Sequence, residues 1–234
     1  MPTTLPTVHD PAHAAVRAGV VLDVDGTLVD SNYLHVVAWA RAFAHLEVYP
    51  PMTVIHRLIG RASDDLVEAV LGESNPDVVE SQVQAFARLR HEIRPQPGAH
   101  ALLRVLHDRG LAVVLASSAK SADHAHNIEV LEARDLLAGS VEAADVEHTK
   151  PAPDIFQAAM EMGDLDVEST VAIGDSVWDM QAGRAAGLEV IGLTCGGISA
   201  EELFMAGASE VYESPADLLD EIEDSVVGQI VVSV

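Results

Sequence analysis

A short β-branched run that ends on charge constrains this chain most: Gly19-Val20-Val21-Leu22-Asp23-Val24-Asp25-Gly26. Apolar residues this dense and this strand-prone fit a strand buried on both faces, and the Asp and Gly that close it mark a turn. A carboxylate at the end of such a strand needs strong compensation for the water it loses. Similar runs recur at residues 111–116, 170–173 and 190–193. Amphipathic helix patterns lie between them, at 98–109, 121–133, 154–162 and 176–187. The alternation predicts an α/β fold, a Rossmann-like parallel sheet sandwiched by helices.

One stretch breaks the alternation. Residues 32–94 carry only helical periodicity, beginning with Tyr33, Leu34, Val36, Val37, Ala40 and Phe43. They predict an inserted α-helical cap domain, with Arg94-Pro95-Gln96-Pro97-Gly98 as the return hinge. The expected organisation is a flexible leader at 1–14, an α/β core made of 15–31 and 95–225, the cap at 32–94, and an apolar segment at 226–234. That last segment, VVGQIVVSV, reads as an edge strand, an intermolecular contact or a frayed tail, and the sequence does not choose among them.

Charge narrows the partners. With 37 Asp+Glu against 13 Lys+Arg the formal charge is −24, while 49% hydrophobic residues suffice for a core. No basic block exists to neutralise phosphates, so nucleic acid and anionic membrane surfaces are not expected partners. The lone Cys195 excludes an internal disulfide framework and a cysteine zinc cluster. The chain shows neither an apolar stretch of about 18 residues nor a basic-then-apolar leader, so a cytoplasmic protein is expected. Nothing in the sequence speaks to oligomeric state.

In open α/β sheets ligands sit beyond the carboxyl ends of the strands. There the first run presents Asp23, Asp25, Gly26 and Thr27; the second presents Ser117, Ser118 and then Lys120. A loop brings Lys150-Pro151, and the third run leads into Gly174-Asp175-Ser176-Val177-Trp178-Asp179. Each piece has an ordinary reading. Asp175 and Ser176 suit a helix N-cap, as do Asp30, Ser31 and Asn32; Ser117 suits a turn, and Lys150 a surface. Jointly they deliver carboxylates, a hydroxyl and an ammonium to one edge of a sheet. Asp23, Asp175 and Asp179 converging there would repel one another beyond what Lys150 offsets, whereas a divalent cation can balance them. All-oxygen ligands suit Mg²⁺ better than zinc, and the combined positive charge then favours a phosphoryl anion. His124 and His126 stand two apart on a helix, face different ways and are expected on its solvated side.

DVDGT at 23–27, the apolar strand ending in Ser117, Lys150-Pro151 and GDSVWD at 174–179 resemble, in that order, the four motifs of the haloacid-dehalogenase-like superfamily, across residues 19–193. The resemblance implies Asp23 as a nucleophile that takes up the phosphoryl group, and Asp25 as general acid and then general base. It also implies Mg²⁺ held by the Asp23 carboxylate, the Asp25 backbone carbonyl and Asp175, with Asp179 behind, and phosphoryl oxygens bound by Ser117 and Lys150. As an acid, Asp25 is expected to have its pKa raised by the neighbouring carboxylate and partial burial.

The insert resembles the helical cap of the subfamily containing phosphoglycolate phosphatase, sugar-phosphate phosphatases and β-phosphoglucomutase. His35 and Arg61 are then candidates for substrate contact or cap closure, and Trp39 for the cap's own core. The mutase's cap arginine is unmatched at Ser63, which favours a phosphatase. The expected function is therefore Mg²⁺-dependent hydrolysis of a small phosphorylated metabolite of phosphoglycolate or sugar-phosphate type. A β-phosphoglucomutase-like phosphotransferase is the alternative, and a non-catalytic phospho-receiver-like module the alternative of another class; receivers lack such a cap.

Overall fold

A computed structural model describes residues 17–118 and 121–230; the leader at 1–14 and residues 231–234 of the apolar segment lie outside the described residues. Six strands form one parallel sheet: β1 (Arg17–Leu22), β2 (Ala112–Ser117), β3 (Gly139–Glu142), β4 (Leu165–Gly174), β5 (Glu189–Leu193) and β6 (Glu210–Tyr212). Their order is β3-β2-β1-β4-β5-β6. In register, Val21 of β1 lies between Val114 of β2 and Ala172 of β4. The chain builds outward from β1 to β3, then crosses back to lay β4 to β6 on the other side. The reversal falls between β1 and β4, and it opens the crevice where ligands bind in such sheets.

Between β1 and β2 run α1 (Asn32–Ala44), α2 (Met52–Leu58), α3 (Ser63–Leu71) and α4 (Pro76–Ala87). They bury a separate apolar cluster that includes Val36, Trp39, Phe43, Ile55, Leu66 and Val78. Local signals place these helices. Asn75 caps α4 by accepting from Val78 N, with Pro76 at the first helical position, where no N–H is needed. Gly72 ends α3 in the left-handed conformation.

The remaining helices cover the sheet: α5 (Ala99–Asp108), α6 (Ser121–Val130), α7 (Asp154–Gly163), α8 (Val177–Ala185), α9 (Ala200–Ala206) and α10 (Pro215–Asp220). Alternation along β1 feeds two cores. Val20 and Leu22 pack with Leu102 and Leu106 of α5 and Leu218 of α10, while Val21 packs with Phe156 of α7, Met180 of α8 and Leu203 of α9. Strands β3 and β6 escape the sequence pattern because they are edge strands of 4 and 3 residues, too short for an apolar run. Residues 226–229 form turns rather than a strand. Val226 N bonds the Glu210 carboxylate, and Val227 is buried in the core under α5 and α10, so this segment closes the helical layer while β6 holds the sheet edge.

Candidate active site

The first strand and the turn after it set the centre. Asp23 N still bonds Ile173 O of β4 at 2.9 Å, so the Asp23 side chain emerges at the reversal point of the sheet. The chain then folds back through Gly26, whose φ is +86° and whose N–H bonds Val29 O at 2.8 Å. A Cβ on Gly26 would stand 2.3 Å from Asn32 Nδ2 and 2.4 Å from Asp175 Oδ2, so glycine is required by both conformation and space. Asp175 follows β4. Ser176 caps α8, and its Oγ accepts from Asp179 N at 3.2 Å, while Asp179 Oδ2 accepts from Ser176 N at 3.0 Å. The capping box thereby fixes Asp179, with its Oδ1 left 2.7 Å from the Lys150 ammonium.

Lys150 is not a surface lysine. It is fully buried, its Nζ lies 2.5 Å from Asp23 Oδ1, and it stands 5.6 Å from the centre of the Phe156 ring. Burial alone would lower its pKa, but Asp179 and Asp23 push it above the ordinary lysine value. Burial raises Asp23 well above the usual carboxylate range, helped by Asp179 and Asp175 and opposed by Lys150. Asp175 is pushed up to about 7 by burial and by Asp179, although Thr27 and Asn32 donate to it at 2.7 and 2.8 Å. Carboxylate oxygens of Asp23, Asp175 and Asp179 lie within 4.8 Å of one another. Asp23 and Asp175 are raised for want of positive charge, and the all-oxygen set they form with Asp179 at this spacing fits a divalent metal ion.

Asp25 departs from expectation. Burial acts to raise its pKa, but His35, Ser31 and Asn127 outweigh burial and lower it. The three donate to the same oxygen, Oδ1: Ser31 Oγ at 2.7 Å, Asn127 Nδ2 at 3.3 Å and His35 Nε2 at 3.4 Å. Hydrogen bonds to the charged form stabilise it, and the neighbouring carboxylate does not dominate. His35 stacks on Phe86 with ring centroids 3.8 Å apart, and its Nδ1 lies 3.4 Å from Gln82 Nε2. Ser31 and Asn32 are not plain helix caps either. Ser31 makes no side-chain cap bond, and Asn32 reaches across to Asp175 and to Gly196 O at 3.1 Å. His124 is likewise not solvated: it is 2% exposed, and both ring nitrogens are buried without a hydrogen-bond partner among the described residues. His126 is half-buried, its Nε2 3.2 Å from Arg90 O.

A cavity of about 90 Å³ lies between this strand edge and the helical insert, lined on the sheet side by Asp23, Asp25 and Asp175. From the insert, His35, Trp39, Arg61 and Ser63 face it. Arg61 lies over the Trp178 ring at 5.1 Å and 3.7 Å from Asp65. Trp39 also belongs to the insert's apolar cluster. Ser117 ends β2 fully buried, while Ser118 reaches the cavity wall with its Oγ 3.5 Å from Gly60 O. Thr27, quoted in the DVDGT motif without a role, Ser31 and Asn32, read as caps, and Asn127, not singled out at all, are the further participants. Thr27 and Asn32 sit within ten residues of Asp23, but Asn127 carries no local signal.

The sequence profile described as haloacid dehalogenase-like hydrolase matches residues 20–193. A hydrolase from Pseudomonas syringae of known structure superposes with a TM-score of 0.84 at 33% identity, covering 89% of this chain and 99% of its own. Phosphoglycolate phosphatase of Escherichia coli is 28% identical over 230 residues, 86% of this chain and 90% of that one. Pyrophosphatase PpaX of Bacillus pumilus is 24% identical over 207 residues, 86% of this chain and 94% of that one.

Proposed function

The chain belongs to the haloacid dehalogenase-like hydrolase family, and on that premise we propose that it is a Mg²⁺-dependent phosphatase of a small phosphorylated metabolite. The observation that carries the reading is the constellation at the sheet reversal: Asp23 paired with buried Lys150, ringed by Asp175 and Asp179, with Asp25 held by one oxygen at the wall of a small cavity. Relatives named as phosphoglycolate phosphatase and pyrophosphatase support a phosphoryl substrate.

Phosphate monoesters hydrolyse so slowly unaided that barrier reductions above about 20 kcal/mol are needed. Asp23 attacks phosphorus, forming an aspartyl phosphate as the bond to the leaving alkoxide breaks. Asp25 gives that alkoxide its proton, then takes a proton from the water that attacks phosphorus and frees Asp23 and phosphate. Lys150 and a serine after β2, Ser117 or its neighbour Ser118, hold phosphoryl oxygens. Asp23, Asp175 and the Asp25 carbonyl would hold Mg²⁺, with Asp179 behind. Bound Mg²⁺ supplies the positive charge that lets a phosphoryl dianion enter so acidic a site. Residues 32–94 serve as the cap that excludes bulk water, with His35 and Arg61 meeting the substrate or securing closure. Ser63 faces the cavity where the mutase would carry arginine, which supports hydrolysis over transfer to a sugar. No helix among the described residues is long and apolar enough to cross a membrane, and Cys195 is free, which accords with action in the cytoplasm.

The test is a phosphate-release screen over phosphorylated sugars, glycolate and nucleotides, with Mg²⁺ and with chelator, and Asp23→Asn as the blank. Release that requires the metal and vanishes in the Asp23→Asn protein is expected. Turnover retained by the folded variant would remove Asp23 as nucleophile.

A further inference from the structure

Helix α6 buries the wrong kind of face. Beside Ile128 and Val130, which pack on the core, it buries Asp123, His124 and Asn127, at 8%, 2% and 0% exposure, where a helix packed on a sheet ordinarily places apolar residues. Buried amides and imidazoles are costly unless they are bonded, yet Asn127 Oδ1 and both His124 nitrogens have no partner among the described residues. Asp123 is accounted for by Arg90, whose Nε donates to it at 2.7 Å. Among the described residues the single side-chain bond of Asn127 is to Asp25 Oδ1, at 3.3 Å. A carboxylate oxygen only accepts in its charged form, so the amide must turn its NH₂ toward Asp25 and leave its own oxygen orphaned. That orientation sacrifices one buried polar atom to hold one carboxylate oxygen.

Ser31 and His35 hold the same oxygen, but both stand at the entrance to the helical insert. Asn127 is the donor that comes from the layer packed on the sheet. We infer that Asn127 is a positioning residue for the acid–base step: it pins Asp25 Oδ1 from the core side, so that Oδ2 keeps facing the cavity when the insert moves and its two donors move with it. The inference rests on the phosphatase reading above.

The test compares kcat/KM for two esters, the alkyl phosphate that the screen ranks first and p-nitrophenyl phosphate. An alkoxide must be protonated as it leaves, whereas nitrophenolate need not be, so the ratio of the two reports the acid and not the phosphate site. Asn127→Leu fills the same space without a donor, and Asn127→Ser is a smaller second variant. Both are expected to lower the alkyl-to-aryl ratio about tenfold, the equivalent of about 1.4 kcal/mol for one charge-assisted bond. Asp25→Asn should lower it further in the same direction. An equal loss on both esters would mean that Asn127 only supports packing, and an unchanged ratio would remove it from the step; either result overturns the inference. A wild-type enzyme that releases phosphate from no ester, or an Asp25→Asn variant whose ratio stays at the wild-type value, would overturn the underlying reading instead.

Discussion

Replacing Lys150 by Met tests how the acidic centre is held together. The two side chains are similar in length and girth, and Lys150 is fully buried against Phe156, so packing changes little and the effect is electrostatic. What disappears is the ammonium 2.5 Å from Asp23 and 2.7 Å from Asp179, leaving three buried carboxylates facing one another. Breaking a buried ion pair from one side costs about 3–5 kcal/mol. In a chain of this size each kcal/mol is worth about 2–4 °C, so Lys150→Met in chelator at pH 8 should melt about 6–20 °C below the wild type.

The cost depends on pH with a definite sign. Asp23 and Asp175 already have folded-state pKa values above their unfolded ones, and losing the ammonium raises them further. Stability linked to such groups is present at low pH and is lost as pH rises through the folded pKa. The gap in melting temperature should therefore be wide at pH 8 and narrow at pH 5.5, where protons replace the missing charge. Added Mg²⁺ should raise the variant's melting temperature more than the wild type's, and Asp179→Asn on top of Lys150→Met should recover part of the loss. Calorimetry at the two pH values settles it. A gap under about 2 °C at pH 8, or one independent of pH, would show that Lys150 is not the counter-charge of this centre.

The other expectations concern single residues. Asp175, lifted to about 7 from an ordinary 3.8 by burial and Asp179, should release close to one proton when Mg²⁺ binds at pH 6 and almost none at pH 8, as titration calorimetry in buffers of different ionisation enthalpy would show. By the same linkage its share of metal-free stability, on the order of a few kcal/mol, falls away as pH climbs from about 4 to 7, and Asp175→Asn should flatten that slope in melts recorded with chelator. Gly26→Ala puts a Cβ 2.4 Å from Asp175 Oδ2 at a φ of +86°, so it should weaken Mg²⁺ binding at least tenfold and lower thermal stability; unaltered metal affinity would contradict the tight turn. Arg61→Ala, which empties the cavity wall beside Trp178, should raise KM about tenfold while kcat changes less than threefold, a pattern steady-state kinetics on the preferred ester would confirm or refuse.

What the sequence makes legible follows from where each physical signal resides. A buried strand must be continuous and apolar, so β1, β2, β4 and β5 announce themselves, and the residues after them can be placed at one edge. Edge strands owe nothing to that rule, and β3 and β6 are silent for this reason. Asp23, Asp25, Asp175 and Asp179 stand out because charge at the end of an apolar strand is expensive anywhere else. The partners that compensate that expense carry no such mark. Lys150 alone looks like any exposed lysine, and only the fold reveals it as the buried counter-ion of Asp23. Asn127 lies 102 residues from Asp25, and the pattern of α6 reads as weakly amphipathic because its inward side is polar.

The Asp25 pKa shows the same division between local and distant signals. Two neighbouring carboxylates suggest mutual repulsion and a raised value, yet three neutral or cationic donors gathered from a turn, α1 and α6 reverse the sign. An acid whose charged form is favoured at rest must gain its proton from a change that the substrate brings. The dianionic phosphoryl group, entering beside Asp25 as the insert closes, is the charge available to raise that pKa when the proton is needed. On this argument the resting donors keep Asp25 aligned and ionised, ready to serve as base, and the arriving anion makes it an acid. The alkaline limb of the pH profile, where the general acid loses its proton, should then stand at higher pH for kcat, which reports the occupied enzyme, than for kcat/KM, which reports the free one. Limbs at the same pH would show that substrate charge does not reach Asp25.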